Sequence, residues 1–188
     1  MKPILLLSYI IMFGTAWSQQ ASIAVPQQNP GEHLDLHGQQ KEKELAAILG
    51  VIDAETECFF KGDYECWKQQ WVQSDHAFQA WNNSDGTFDA RAGWSAVDKE
   101  IAAYIKSYSD NLKKGTKRRV IRKNLTVKFY GDEVAYLFWD QYNENTQGDQ
   151  FTHSKDSRIM EKHQGNWKIA HVSSFWDYKN PVTKNQIK

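Results

Sequence analysis

Residues 156–174 read Asp156-Ser157-Arg158-Ile159-Met160-Glu161-Lys162-His163-Gln164-Gly165-Asn166-Trp167-Lys168-Ile169-Ala170-His171-Val172-Ser173-Ser174. Gln164-Gly165-Asn166 is turn chemistry between two runs suited to strands, so the segment predicts an antiparallel hairpin. Side chains alternate between the faces of a strand. In the first strand Arg158 shares parity with Ser154, Asp156 and Met160; in the second, Trp167, Ile169, His171 and Ser173 form one set. Lys168 belongs to the other set and favours solvent, which turns His171 inward. The expectation is that Arg158 and His171 share the inner face.

Upstream, two further runs alternate or carry strand formers, and the hairpin strands extend past the quoted segment. Ile121, Leu125, Val127 and Phe129 alternate with Arg122, Asn124, Thr126 and Lys128, followed by Val134–Asn143, Phe151–His163 and Trp167–Trp176. Turns at Gly131-Asp132 and Asn145–Asp149 separate them. Earlier still, the spacing is helical. Leu45, Ile48, Leu49, Ile52, Thr56 and Phe59 mark a helix ending near Gly62, and Asp63 can cap a short helix with Trp67 and Trp71 on one face. A short strand is expected around Asp75 to Trp81, then a loop at Asn82-Asn83-Ser84-Asp85-Gly86. Trp94, Val97, Ile101, Tyr104, Ile105, Tyr108 and Leu112 repeat at three and four, with Ser95 and Asp98 at capping-box spacing and Lys113-Lys114-Gly115 as a stop. Helices followed by hairpin-linked strands is the order of an α+β domain with an antiparallel sheet.

The chain has 188 residues, 23 Lys+Arg against 23 Asp+Glu, and 25 aromatic rings. That is globular composition of single-domain length, and a zero balance without a basic cluster lacks the footprint of a nucleic-acid binder. Lys2, the apolar run Pro3 to Phe13 and Ala16-Trp17-Ser18 have the charge, core and cleavage register of a secretory signal. The run is too short to span a membrane. Residues 1–18 are therefore expected to be removed, leaving no membrane association in a secreted or periplasmic protein. Residues 19–40, rich in Gln, Pro and Gly, read as a flexible leader in which His33 and His37 are solvated. The domain is expected over 41–178, with 179–188 as a tail. Export permits a disulfide between Cys58 and Cys66; two separately buried thiols are the alternative.

The hairpin resembles the C-terminal hairpin of the nuclear-transport-factor-2-like superfamily, in its SnoaL-like branch. There the pattern is Arg, strand residues, Gly-x-Trp, then Lys/Arg-Ile-x-His-x-x-Ser, matched here by Arg158, Gly165-Asn166-Trp167 and Lys168-Ile169-Ala170-His171-Val172-Ser173-Ser174. Gly62-Asp63 with Trp67 resembles that superfamily's turn after its first helix. The resemblance covers about residues 41–178. It implies an α+β cone, a curved antiparallel sheet wrapped around a long helix with a pocket at the open end, and a homodimer paired through the outer sheet face. Its members include enzymes and non-catalytic binders, so the site has to decide the function.

The resemblance points the strand arginine into the pocket, where Arg158 is either a fork for a carboxylate-bearing ligand or an internal partner of Asp156, Asp140 or Glu161. His171 is either a general acid or base or a hydrogen-bonded wall residue. His76 falls in a segment that lines the pocket in relatives. His153 has the opposite parity from Arg158 and is expected to face away. Trp94, Tyr104, Tyr108 and Trp139 are the rings expected around a ligand. HExxH, HxH and GxSxG are absent, and Asp140, Tyr142 and Asp156 lack the spacing of an isomerase site. No metal and no cofactor is expected. The sequence supports first an exported binder of a small organic ligand, an anionic one where Arg158 acts as a fork. A cofactor-independent acid–base enzyme (lyase, isomerase or hydrolase) with His171 or His76 as catalytic base, and a dimeric scaffold, are the alternatives; it leaves open whether any reaction is catalysed.

Overall fold

The computed structural model describes residues 36–113, 119–145 and 149–187, with the side chains of 36, 37 and 108–113 outside the description. The expectations for the signal and for most of the leader lie outside these residues. The elements are α1 (Leu36–Lys61), α2 (Tyr64–Gln69), β1 (Phe78–Asn82), β2 (Phe88–Ala92), α3 (Trp94–Lys113), β3 (Val120–Tyr130), β4 (Val134–Glu144), β5 (Gln150–His163) and β6 (Asn166–Thr183), then a 3-10 turn at Lys184–Gln186. Thus α1 begins before residue 41 and β6 continues past 178. The helices cover one face of a single curved sheet ordered β2-β1-β6-β5-β4-β3.

That sheet is mixed. The expectation of an antiparallel sheet holds for four pairings, whereas β1 runs parallel to β6, with Phe78 beside His171 and Trp81 beside Ser174. Asn82 prolongs this pairing through its side chain, which donates to the Trp176 carbonyl and accepts from the Trp176 N–H. β2, absent from the sequence expectation, closes a hairpin on β1 (Phe78 opposite Ala92). Its residues Phe88-Asp89-Ala90-Arg91-Ala92 carry little of the branched or aromatic character that marks strands.

The turn between α1 and α2 forms where Gly62-Asp63 predicts it. Gly62 has φ 68°, a left-handed conformation that glycine adopts at least cost, and the Asp63 carboxylate caps α2 by accepting from the Cys66 N–H. Cys58 and Cys66 are joined as a disulfide across this turn, with Cα atoms 5.6 Å apart. Closing a loop with a sequence separation of 8 should stabilise the fold by about 2–3 kcal/mol. Urea melts of the Cys58→Ala/Cys66→Ala variant are expected to show that loss, and equal stability would refute it.

The apolar end of the cone is packed by Ile48 and Ile52 of α1, Trp67 and Trp71, Val97 and Ile101 of α3, and Ala135, Met160 and Ile169 of the sheet. Indole N–H groups are handled individually: Trp67 donates to Glu55 and Trp167 to Glu44, which also pairs with Lys162. Among the described residues no helix is long and apolar enough to cross a membrane.

Candidate functional site

Pairing register assigns every strand residue to a face, because directly opposed residues point the same way. On the inner face, Arg158 stands beside Val172 and Leu137, Asp156 beside Ser174 and Trp139, and Ser154 beside Trp176 and Gln141. β1 adds Gln79 next to Val172 and Trp81 next to Ser174. β3 adds Arg122 next to Gln141. The inner wall therefore changes character along its length, from the apolar end to a polar half lined by Gln79, Trp139, Ser154, Asp156, Arg158 and Ser174.

Arg158 faces inward as expected, with only 6% of its side chain exposed. Its partner is Asp156, not Asp140 or Glu161. Nη1 donates to Asp156 Oδ2 at 3.2 Å and to the Ser157 carbonyl at 3.0 Å. Asp156 is fully buried and already accepts from Ser154 Oγ at 2.6 Å and Ser174 Oγ at 2.8 Å. The two hydroxyls occupy both carboxylate oxygens, and the guanidinium meets the acid through one nitrogen only. Arg158 Nε is buried without a hydrogen-bond partner among the described residues. The pair is thus formed, and the fork is not saturated.

Trp139 is buried beneath two guanidinium groups, Arg158 at 5.1 Å and Arg122 at 5.8 Å from the ring centre. Arg122 donates to Gln141 Oε1 and Thr56 Oγ1 and pairs with Asp53 at the rim. Burial lowers the Arg122 pKa, the Arg158 cation lowers it further, and Asp53 opposes both. Sequence reasoning missed Arg122, because alternation grouped it with Thr126 and Lys128. A register shift between Lys123 and Thr126 reverses the parity there, and Asn124 sits at that shift with φ 55°. Asn is among the few residues that tolerate such a φ, and this was the available signal.

His171 does not join Arg158. Ile159 pairs with His171 but Met160 pairs with Ile169, so Ala170 is an extra residue that turns His171 to the outer face. There its ring stacks on Phe78 at 4.8 Å and its Nε2 lies 2.6 Å from Ser173 Oγ. Burial lowers the His171 pKa and the Arg158 charge adds to this. His76 is exposed, bonded to Glu161 at 3.0 Å, an oxygen shared with His163. Trp94 stacks on Trp67 and lies tilted against Trp71, packed on the core, and Tyr104 stacks on Phe59 within it. The side chain of Tyr108 lies outside the described residues. Half-buried Trp81 and Trp176 instead flank the polar half, with Tyr178 stacked on Trp176 and its hydroxyl pushed up to about 12 by burial. Among the described residues no group of three His, Cys, Asp or Glu is placed to hold a metal.

His153 faces outward, as its parity requires. It donates to Asp140 at 2.7 Å; Lys155 also pairs with Asp140, and Asn124 donates at 2.8 Å. Burial raises the Asp140 pKa, but these donors outweigh it and hold the carboxyl at about 2. A depressed pKa contributes stability that is complete above the unfolded-state value near 4 and is lost as pH falls toward 2, on the order of 2 kcal/mol. Asp140→Asn should therefore be less stable at pH 7 than the parent by about this amount, with the gap closing between pH 4 and 2. A gap unchanged across that range in urea melts would refute the assignment.

No protein-family model matches the chain, and no curated protein matches it by sequence. Solved structures do. An NTF-2-like protein of unknown function from Shewanella oneidensis MR-1 superposes with TM-score 0.54 at 20% identity, covering 70% of this chain and 98% of that one. An NTF-2-like protein of unknown function from Silicibacter pomeroyi DSS-3 gives 0.52 at 13%, covering 73% and 98%. A putative calcium/calmodulin-dependent protein kinase II association domain from Xanthomonas campestris gives 0.51 at 14%, covering 73% and 89%. At these identities the likeness is one of fold. The fold is that of the nuclear-transport-factor-2-like superfamily, and no branch within it is singled out.

Proposed function

We propose that this chain, built on the nuclear-transport-factor-2-like fold, is an exported protein that binds a small organic anion inside its cone. One observation carries the reading: Arg158 is buried on the inner face with its Nε unpartnered, and its counter-ion Asp156 meets it through one nitrogen only while also accepting from two serine hydroxyls. An unmet buried donor on a cation is costly, and an acceptor anion would satisfy it. The signal-like residues 2–18 and the disulfide support export. The acid–base alternative loses its proposed bases, since His171 and His76 lie away from Arg158 and Asp156 is occupied by three donors.

Small molecules released from natively purified protein should include an organic acid by mass spectrometry. Arg158→Met is expected to weaken its binding on the order of 10- to 150-fold, the loss of one charge-assisted hydrogen bond. Arg158→Lys, which keeps the charge but not the fork, should fall between. Equal affinity in all three proteins would end this reading.

The protein is further proposed to be a homodimer through the outer sheet face. That face carries Tyr130, Tyr136, Phe138, Tyr142 and Phe175 where water-facing strands normally alternate to polar residues, and Phe175 is 63% exposed. Light scattering should give twice the chain mass, and Phe175→Glu should return a monomer. A monomer mass for the parent across the micromolar range would overturn it.

A further inference from the structure

The anion site has further unmet groups whose kinds and positions define a ligand class. On the same inner face, Trp81 Nε1 and Asn143 Nδ2 are buried donors without partners, and Gln79 Oε1 is a buried acceptor without one. Gln79 and Arg158 lie in one row across the sheet, separated only by Val172. With neighbouring strands about 4.8 Å apart, their backbones stand roughly 10 Å from each other. Long side chains from both ends can reach the two ends of one small molecule above Val172.

Charge limits what that molecule can be. Arg122 and Arg158 face Asp53 and Asp156, while Arg91, the cation on β1's other side, is bound by both Asp89 and Glu100. Asp53 is 55% exposed and Arg91 is neutralised where it stands, so the buried polar half holds two guanidinium groups, Arg122 and Arg158, against the one buried carboxylate of Asp156, which leaves room for a single added negative charge. A second negative charge on the ligand would be buried without a counter-ion. Trp81 next to Gln79 and half-buried Trp176 provide flat apolar surface on the same face.

Resting on the proposal that this face binds an organic anion, we propose that the ligand is a hydroxylated aromatic monocarboxylate. Its carboxylate accepts from Arg158 Nε and its hydroxyl donates to Gln79 Oε1. Dianionic phosphate esters are excluded by charge.

The test is a panel of 4-hydroxybenzoate, benzoate, phenyl phosphate and benzyl alcohol, read by tryptophan fluorescence and by melting temperature on the full protein. 4-Hydroxybenzoate is expected to bind about fivefold or more tightly than benzoate, the worth of one hydrogen bond, and tighter than the other two. Gln79→Leu should erase the preference for the hydroxyl while leaving benzoate binding in place. Phenyl phosphate or benzyl alcohol binding best in an Arg158-dependent manner would overturn the ligand class and leave the site standing. A Gln79→Leu protein that keeps the hydroxyl preference would overturn the role of Gln79. If none of the four perturbs the parent protein, the site itself fails along with the class.

Discussion

Replacing Asp156 with leucine is expected to destabilise the fold by about 3–5 kcal/mol, because it strands a buried guanidinium. Arg158 is 6% exposed and has Asp156 as its only carboxylate in salt-bridge range among the described residues. The change also removes the acceptor of Ser154 Oγ and Ser174 Oγ, both buried. Removing both charged partners should behave differently. Asp156→Leu with Arg158→Met leaves no orphaned charge, and a buried pair exchanged for apolar groups is often near neutral. The double variant is therefore expected to recover at least half of the single-variant loss, the two serine hydroxyls accounting for about 1 kcal/mol each of what remains. Urea unfolding of the four proteins forms the cycle. Additive losses would mean that Asp156 and Arg158 are not a pair, and the half-engaged fork that carries the anion site would go with it.

What could be read from the sequence follows a physical line. Hairpins, the Gly62-Asp63 turn and the long helices are legible because turn chemistry and apolar period are local properties. The inward Arg158 and outward His153 are legible too, since β5 pairs with β4 in one unbroken register around both. Arg122 and His171 are not. Each lies next to an extra residue in its strand, at Asn124 and at Ala170, and one inserted residue exchanges the faces of everything beyond it. The family-like hairpin makes the error tempting: Trp167, Ile169 and His171 alternate faultlessly on paper. The ring contacts of Trp94 and Tyr104 are not legible for another reason. Aromatic side chains on a core helix are chosen for volume, and a sequence does not say whether a ring meets a ligand or another ring.

Deleting Ala170 and deleting Lys168 are expected to have different outcomes, although each removes one residue from β6. Ala170 is the extra residue. Without it Ile169 and His171 become neighbours opposite Met160 and Ile159, and Trp167, Ile169, Val172 and Ser174 still share the inner face in one unbroken register. The cost should be limited to one small buried side chain and the local twist of the bulge, about 1–3 kcal/mol. Lys168 is an ordinary ladder residue. Without it Trp167, now 4% exposed, exchanges faces and turns toward solvent while Ile169 stays inside. Losing one large aromatic from the core costs about 3–5 kcal/mol, against a total stability of about 5–15 kcal/mol for an ordinary domain. Thermal melts should therefore place the Ala170 deletion well above the Lys168 deletion. An Ala170 deletion as damaging as the Lys168 deletion would mean that Ala170 is not the extra residue and that His171 belongs on the inner face after all, and the general-base reading of that histidine would have to be reopened.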